Sequence, residues 1–167
     1  YKNIPRMLEA FRIALDHTNV NLNLLIAGSR NYQYYNEEIL ETIERFSLQE
    51  SVILLGSVSR EDLRYLYSKC AFMIFPSPFE NFAYTLIEAM SCGAAIACSN
   101  TTGMPDTCHE AALYFNPYDI EEIAEKISML ISDEKLRKSL SKKSIARVNE
   151  LPDYKEVSIE TLDIIKS

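Results

Sequence analysis

Glu80 and Glu88 stand eight positions apart in the stretch ENFAYTLIEAMSCGAAIAC, and between Asn81 and Cys98 no other side chain than Glu88 is charged. An ionised carboxylate taken out of water costs several kcal/mol unless it is hydrogen-bonded. Glu88 therefore either faces water or waits for a partner. The chemistry such a pair can do is to accept hydrogen bonds from neighbouring hydroxyl groups. On a helix, the neighbours of Glu88 at three and four positions are Tyr84, Thr85, Ser91 and Cys92, a mildly polar stripe that also suits an ordinary solvated face. Among 24 acidic residues a pair at this spacing arises easily by chance, so spacing alone decides little.

The elements around the pair must be read next. Ile4, Met7, Leu8, Phe11, Ala14 and Leu15 recur at helical spacing, with Pro5 suited to the first turn. LNLLIAG reads as a buried strand closed by Gly28, and Ile39, Leu40, Ile43 and Phe46 mark a second helix. SVILLGS is another strand ending in Gly56. Ser59 three residues before Asp62 is an imperfect capping box that opens a helix with Leu63, Leu66, Tyr67 and Cys70 on one face. AFMIFPSP, AAIACS and AALYFNP supply three further strands, and residues from about Ala83 to Ser91 read as a short helix between the first two of them. A strong amphipathic helix over Ile120 to Ile131, a charged one around Glu134 to Val148, and a terminal helix within 153–167 complete the pattern.

Strands alternating with helices predict an α/β fold, a Rossmann-like parallel sheet with helices on both faces. In such sheets ligands bind beyond the carboxyl ends of the strands. The candidate loops are Gly28 to Tyr35, Gly56 to Arg60, Pro76 to Ala83 and Ser99 to Pro105. Glu80 falls in the third, and Glu88 on the helix that follows. A loop carboxylate, a helix N-terminus with free amides and a second carboxylate further along match the needs of a sugar nucleotide, since the amides and dipole take phosphate and the carboxylates take sugar hydroxyls. The residues themselves leave this reading and the solvated face both open.

Composition narrows the classes. At 167 residues the chain fits one domain, 1–167, with a core of its own, and 47% hydrophobic with 25% charged residues is ordinary globular composition. A net charge of −7 argues against nucleic acid or an anionic membrane as partner. Cys70, Cys92, Cys98 and Cys108 contain no C-x-x-C and read as small core residues carrying free thiols in a reducing, cytoplasmic setting. With His17 and His109 as the available nitrogen ligands, no metal site is expected. The apolar run from Ala83 is interrupted by Glu88 and Gly93 before reaching the ~20 residues of a membrane span.

The segment GSVSREDLRYLYSKCAFMIFPSPFENFAYTLIEAMSCGAAIACSNTTGMPD resembles the C-terminal half of family 4 of the retaining, nucleotide-sugar-dependent glycosyltransferases of the GT-B fold. The resemblance runs from Lys2 to about Ser167, and its most specific element is the E-x7-E motif, met by Glu80 and Glu88. It implies that Glu80 contacts donor-sugar hydroxyls near the reaction centre and that Glu88 holds the ribose. Backbone amides of Phe82, Ala83, Tyr84 and Thr85, with Asn81 beside them, would face the diphosphate. Val58 and Arg60 would lie beside the base, with Gly28 at the neighbouring turn. Lys2 matches a lysine that neutralises the leaving diphosphate together with an upstream arginine, whose strand lies outside the chain.

The resemblance further implies a nucleoside diphosphate sugar as donor substrate, no cofactor and no metal. The implied partners are an N-terminal GT-B domain of the same polypeptide and an acceptor sugar or lipid-linked glycan. The SNTTGMPD and EAALYFNPYD segments resemble those of bacterial surface-polysaccharide transferases that use mannose or related sugars. Any peripheral attachment to the inner face of a membrane would reside mostly in the other half. Where the family writes E-G-F-G, this chain has Glu80, Asn81, Phe82, Ala83, which predicts either a loop that differs locally or a lower affinity for the donor. An epimerase-like GT-B enzyme and a non-catalytic nucleotide-sugar-binding module are the alternatives. The domain alone is expected not to catalyse transfer.

Overall fold

The computed structural model describes residues 2–28 and 33–151, with the backbone alone for 33–36. The expected terminal helix within 153–167 and the side chains of Tyr32, Tyr34 and Tyr35 lie outside the described residues. In chain order the elements are α1 (Ile4–Thr18), β1 (Leu24–Ala27), α2 (Gln33–Arg45), β2 (Val52–Gly56), α3 (Arg60–Lys69), β3 (Met73–Phe75) and α4 (Tyr84–Ser91). There follow β4 (Ile96–Ser99), α5 (Met104–Cys108), a 3-10 turn at His109–Ala111, β5 (Ala112–Phe115), α6 (Ile120–Ser132) and α7 (Glu134–Glu150).

Local chemistry sets these boundaries. α1 carries Pro5 in its first turn and ends where Asn19 turns left-handed at φ 52° and its N–H reaches Leu15 O. Ser59 Oγ accepts from Asp62 N at 3.0 Å to open α3. The partner half of the expected capping box is altered, because Ser59 Oγ donates to the Asp62 carboxylate at 2.6 Å. Asp119 and Asp133 cap α6 and α7 through Glu122 N and Leu136 N.

All strand pairs are parallel, and they fall into two hydrogen-bonded sets among the described residues, β1 with β2 and β3 with β4 and β5. The expected parallel strands are thus present, divided into a two-stranded and a three-stranded set. Helices cover both faces, because successive residues of a strand point to opposite sides. Ala95 and Ala97 join one core with Phe11 of α1 and Ile123, Ile127 and Leu130 of α6. Ile96 and Cys98 join the other with Leu86 and Met90 of α4 and Met104 of α5.

One expectation about a single residue changes. Cys98 and Cys108 are buried as core residues, but Cys70 is exposed at the end of α3, so the core reading does not extend to it. His109 opens the 3-10 turn before β5 with φ 48°.

Candidate functional site

The loop after β3 is built to hold Glu80. Pro76 and Pro78 stop the strand by removing backbone donors, and Ser77 Oγ donates to Phe79 O at 3.2 Å inside the turn. The loop after β4 then braces it from the side. Thr101 Oγ1 donates to Pro78 O at 2.9 Å, and Glu80 N donates to Thr102 Oγ1 at 3.1 Å. Gly103 completes the approach, since a Cβ there would meet Asn81 O at 3.2 Å. Thr102 holds its acceptor in place at φ 51°, a region uncommon for a β-branched residue. α5 is tied in turn to α7, through Arg147 Nη2 and Nε to the carbonyls of Asp106 and Thr107 at 2.9 and 3.0 Å.

Glu80 and Lys2, far apart in sequence, meet in space. Lys2 Nζ donates to Glu80 Oε1 at 2.5 Å, and the Glu80 side chain is only 17% exposed. The same ammonium lies 5.9 Å from the centroid of the Phe75 ring, whose π face attracts cations. A fixed carboxylate and a fixed ammonium thus stand together at the carboxyl end of β3, one able to accept from hydroxyls and the other to face an anion.

α4 begins three residues beyond Asn81. No side chain caps its N-terminus, so Ala83 opens it with backbone alone, buried at 2% exposure. Tyr84 N is turned to Phe82 O at 3.0 Å, and Leu86 N and Ile87 N bond Ala83 O at 2.9 and 3.3 Å. Thr85 is half-buried. The Phe82 and Tyr84 rings are exposed and in contact, with centroids 4.5 Å apart. Neither Asn81 nor Ala83 adopts a positive φ, and Ala83 has φ −86°. The replacement of the family's glycines therefore forces no left-handed backbone here.

Glu88 is exposed on α4, which settles its side of the opening alternative in favour of a wet face. Its charge faces Tyr67 on α3. Burial first, and the Glu88 carboxylate second, push the Tyr67 hydroxyl up from 10.0 to about 12. Gly28 is exposed, and its N–H bonds Gly56 O at 2.9 Å, joining the ends of β1 and β2. Val58 is half-buried and Arg60 exposed at the start of α3. These three residues follow the strands of the β1–β2 set, whereas Glu80 follows β3 of the other set.

Sequence reasoning missed Thr101, Thr102 and Asn3. The run SNTTG signals a turn, but which hydroxyl would brace which loop depends on β3 and β4 being neighbours. Among the described residues no group of three or more His, Cys, Asp or Glu is placed to hold a metal ion, and no helix is long and apolar enough to cross a membrane.

Comparison with known proteins agrees with this geometry. Residues 1–147 match the family model described as glycosyl transferases group 1. The O-antigen chain mannosyltransferase B of Escherichia coli is 28% identical over 165 residues, 99% of this chain and 42% of that protein, so the chain spans less than half of that relative. Sucrose-phosphate synthase from Thermosynechococcus elongatus superposes with a TM-score of 0.83 at 23% identity, over 99% of this chain and 42% of the other. Anabaena Alr3699/HepE, solved in complex with UDP-glucose, superposes with a TM-score of 0.81 at 20% identity, over 95% and 44%. The two superpositions show a shared α/β, Rossmann-like fold over the part of each structure that this chain covers.

Proposed function

The chain belongs to the glycosyl transferases group 1, and from that premise we propose that it is the donor-binding half of a retaining glycosyltransferase of polysaccharide or glycoconjugate synthesis. The complete polypeptide takes a glycosyl group from a nucleoside diphosphate sugar and gives it to an acceptor hydroxyl with the anomeric configuration kept. The observation that carries this reading is the Lys2–Glu80 pair at the end of β3, beside the uncapped start of α4.

In this reading the amides of Phe82, Ala83 and Thr85, the helix dipole at the start of α4 and the Lys2 ammonium receive the diphosphate, which stabilises charge as it develops on the leaving group. Glu80 accepts hydrogen bonds from the donor sugar, and its tie to Lys2 keeps both groups placed before the donor arrives. Glu88, standing on the wet face of α4, accepts from the ribose hydroxyls. Val58, Arg60 and Gly28 line the base side from the other strand set. The UDP-glucose bound to HepE supports a nucleotide sugar as donor, and the E. coli mannosyltransferase supports a hexose in a surface polysaccharide. Neither role asks for a metal. The acceptor belongs to the domain outside this chain, so the domain alone does not turn over, because transfer needs both halves to orient substrates and exclude water.

The test uses the complete polypeptide with its donor and acceptor. Glu80→Gln is expected to lower kcat by about a hundredfold or more, whereas Glu88→Gln is expected chiefly to raise the donor KM. Near-normal turnover in Glu80→Gln would remove it from the reaction centre.

A further inference from the structure

We propose that Asn3 is a positioning residue for Lys2, its buried carboxamide clamping the start of α1 to the ends of both β3 and β5. This rests on the reading of Lys2 given above.

Asn3 occupies the N-cap of α1, where an asparagine side chain ordinarily accepts from an amide of its own first turn. It makes no such cap bond. Instead Nδ2 donates to Pro76 O at 3.2 Å and to Pro117 O at 2.6 Å, and Oδ1 accepts from Arg6 Nη1 at 3.0 Å. Both amide hydrogens and the carbonyl are thus engaged, which is what a group only 7% exposed requires. The two carbonyls lie just past β3 and just past β5, strands separated by β4. One side chain therefore spans the carboxyl edge of the three-stranded set. Arg6 is itself held over the Tyr118 ring at 5.7 Å, which fixes the third partner.

The backbone is committed to the same purpose. Asn3 sits at φ 60° and ψ 26°, a left-handed conformation in which asparagine is among the best tolerated side-chain-bearing residues. That bend turns the chain off the α1 axis one residue before the helix begins. Lys2 is the residue it redirects, with its ammonium delivered to Glu80 Oε1. A lysine has four rotatable bonds, so its reach is fixed only if its backbone is. Aspartate would present lone pairs to both proline carbonyls, leucine would leave those carbonyls unpaired, and glycine would keep the bend without the clamp.

The geometry is tested in the complete polypeptide with Asn3→Gly, which retains the left-handed backbone and removes only the side-chain bridge. The first readout is the NMR signal of the Lys2 side chain, selectively labelled at Cε and Nζ. The ammonium is expected to be ordered in the parent and to become mobile in Asn3→Gly; unchanged order would overturn the proposal whatever Lys2 does in catalysis.

The second readout is kinetic. Asn3→Gly is expected to lower kcat by roughly ten- to a hundredfold through misplacement of Lys2, with the donor KM altered less than about threefold. In a Lys2→Ala background the same substitution is expected to change kcat by less than about twofold, since residues that act as one unit are not additive. An equal loss in both backgrounds would show that Asn3 acts through the fold and would overturn the proposal. Full turnover in Lys2→Ala alone would instead break the reading of Lys2, and the NMR readout would still decide whether Asn3 positions it.

Discussion

β4 is buried at every residue from Ile96 to Ser99, whereas β1 alternates, with Leu25 exposed at 44% beside its register partner Ile53 at 45%. The two strand sets differ in the same way at their carboxyl ends. Around β3, β4 and β5, the Glu80 loop is held by Thr101, Thr102, Gly103 and Lys2, and the start of α1 is pinned to two strand ends. Among the described residues, a backbone bond from Gly28 N to Gly56 O joins the carboxyl ends of β1 and β2. In the proposed function the first set does the chemistry and the second receives the base. Groups that act on a developing charge need to be placed in advance, because reorganising them during the reaction would cost rate. A base can be received by a surface with more freedom.

The widest way to break this comparison is to compare the two sets by stability. Phe115 on β5 is fully buried in the core that joins the sheet to α1 and α6. Phe115→Ala is expected to cost about 3–5 kcal/mol, the usual loss for emptying a core aromatic site. Leu25→Ala removes a side chain that remains partly in water, and about 1 kcal/mol or less is expected from the smaller area it buries. Urea unfolding of the complete polypeptide measures both, and equal losses would mean that β1 is packed as tightly as β5.

A narrower test asks whether the strain at Thr102 serves Glu80. Thr102→Gly relieves a β-branched residue from φ 51° and deletes the acceptor of the Glu80 amide. Each effect is worth about 1 kcal/mol, in opposite directions, so overall stability should move little. The Glu80 amide should nevertheless exchange its hydrogen with solvent at least about tenfold faster, because its local bond is gone. Unchanged exchange would show that the loop is held by something other than Thr102.

How much of this was legible depended on whether the determining contact is local. The helices and strands were readable, because Phe11, Ile123 and Leu130 repeat at helical spacing and VILLG and AAIACS are apolar runs closed by turns. The Ser59 cap was readable for the same reason. The division into two strand sets was not, since strand order is a matter of which distant edges pair, and nothing inside LLIA or MIF encodes it. α5 hides in TTGMPD, whose glycine and proline read as loop, although Pro105 suits a first helical turn. Lys2 and Glu80 were named through a family resemblance, and their direct contact belongs to the fold. Asn3 looked like one more polar residue near a chain end. Its role needs the ends of β3 and β5 to be adjacent, which no window of the sequence contains.

The smallest expected effect lies where the two regions meet, at Tyr67 and Glu88. α3 is the crossover from β2 to β3, and its one buried residue is Tyr67, facing α4 of the other set. Burial contributes most to raising its hydroxyl to about 12, and Glu88 contributes next as a like charge that opposes phenolate. Glu88→Gln removes the second cause and keeps the first. The Tyr67 pKa should then fall only part of the way back toward 10.0, read from its Cζ resonance with Tyr67→Phe for assignment. Stability carries the same sign. An unfolded chain releases this proton near pH 10 and the folded one near 12, so the Tyr67 contribution is complete below pH 10 and is lost as pH rises through that window. The window should narrow from its upper end in Glu88→Gln. If the Tyr67 pKa does not move, the carboxylate points away from α3, and the wet face on which the ribose is proposed to sit is not the one that joins the two strand sets.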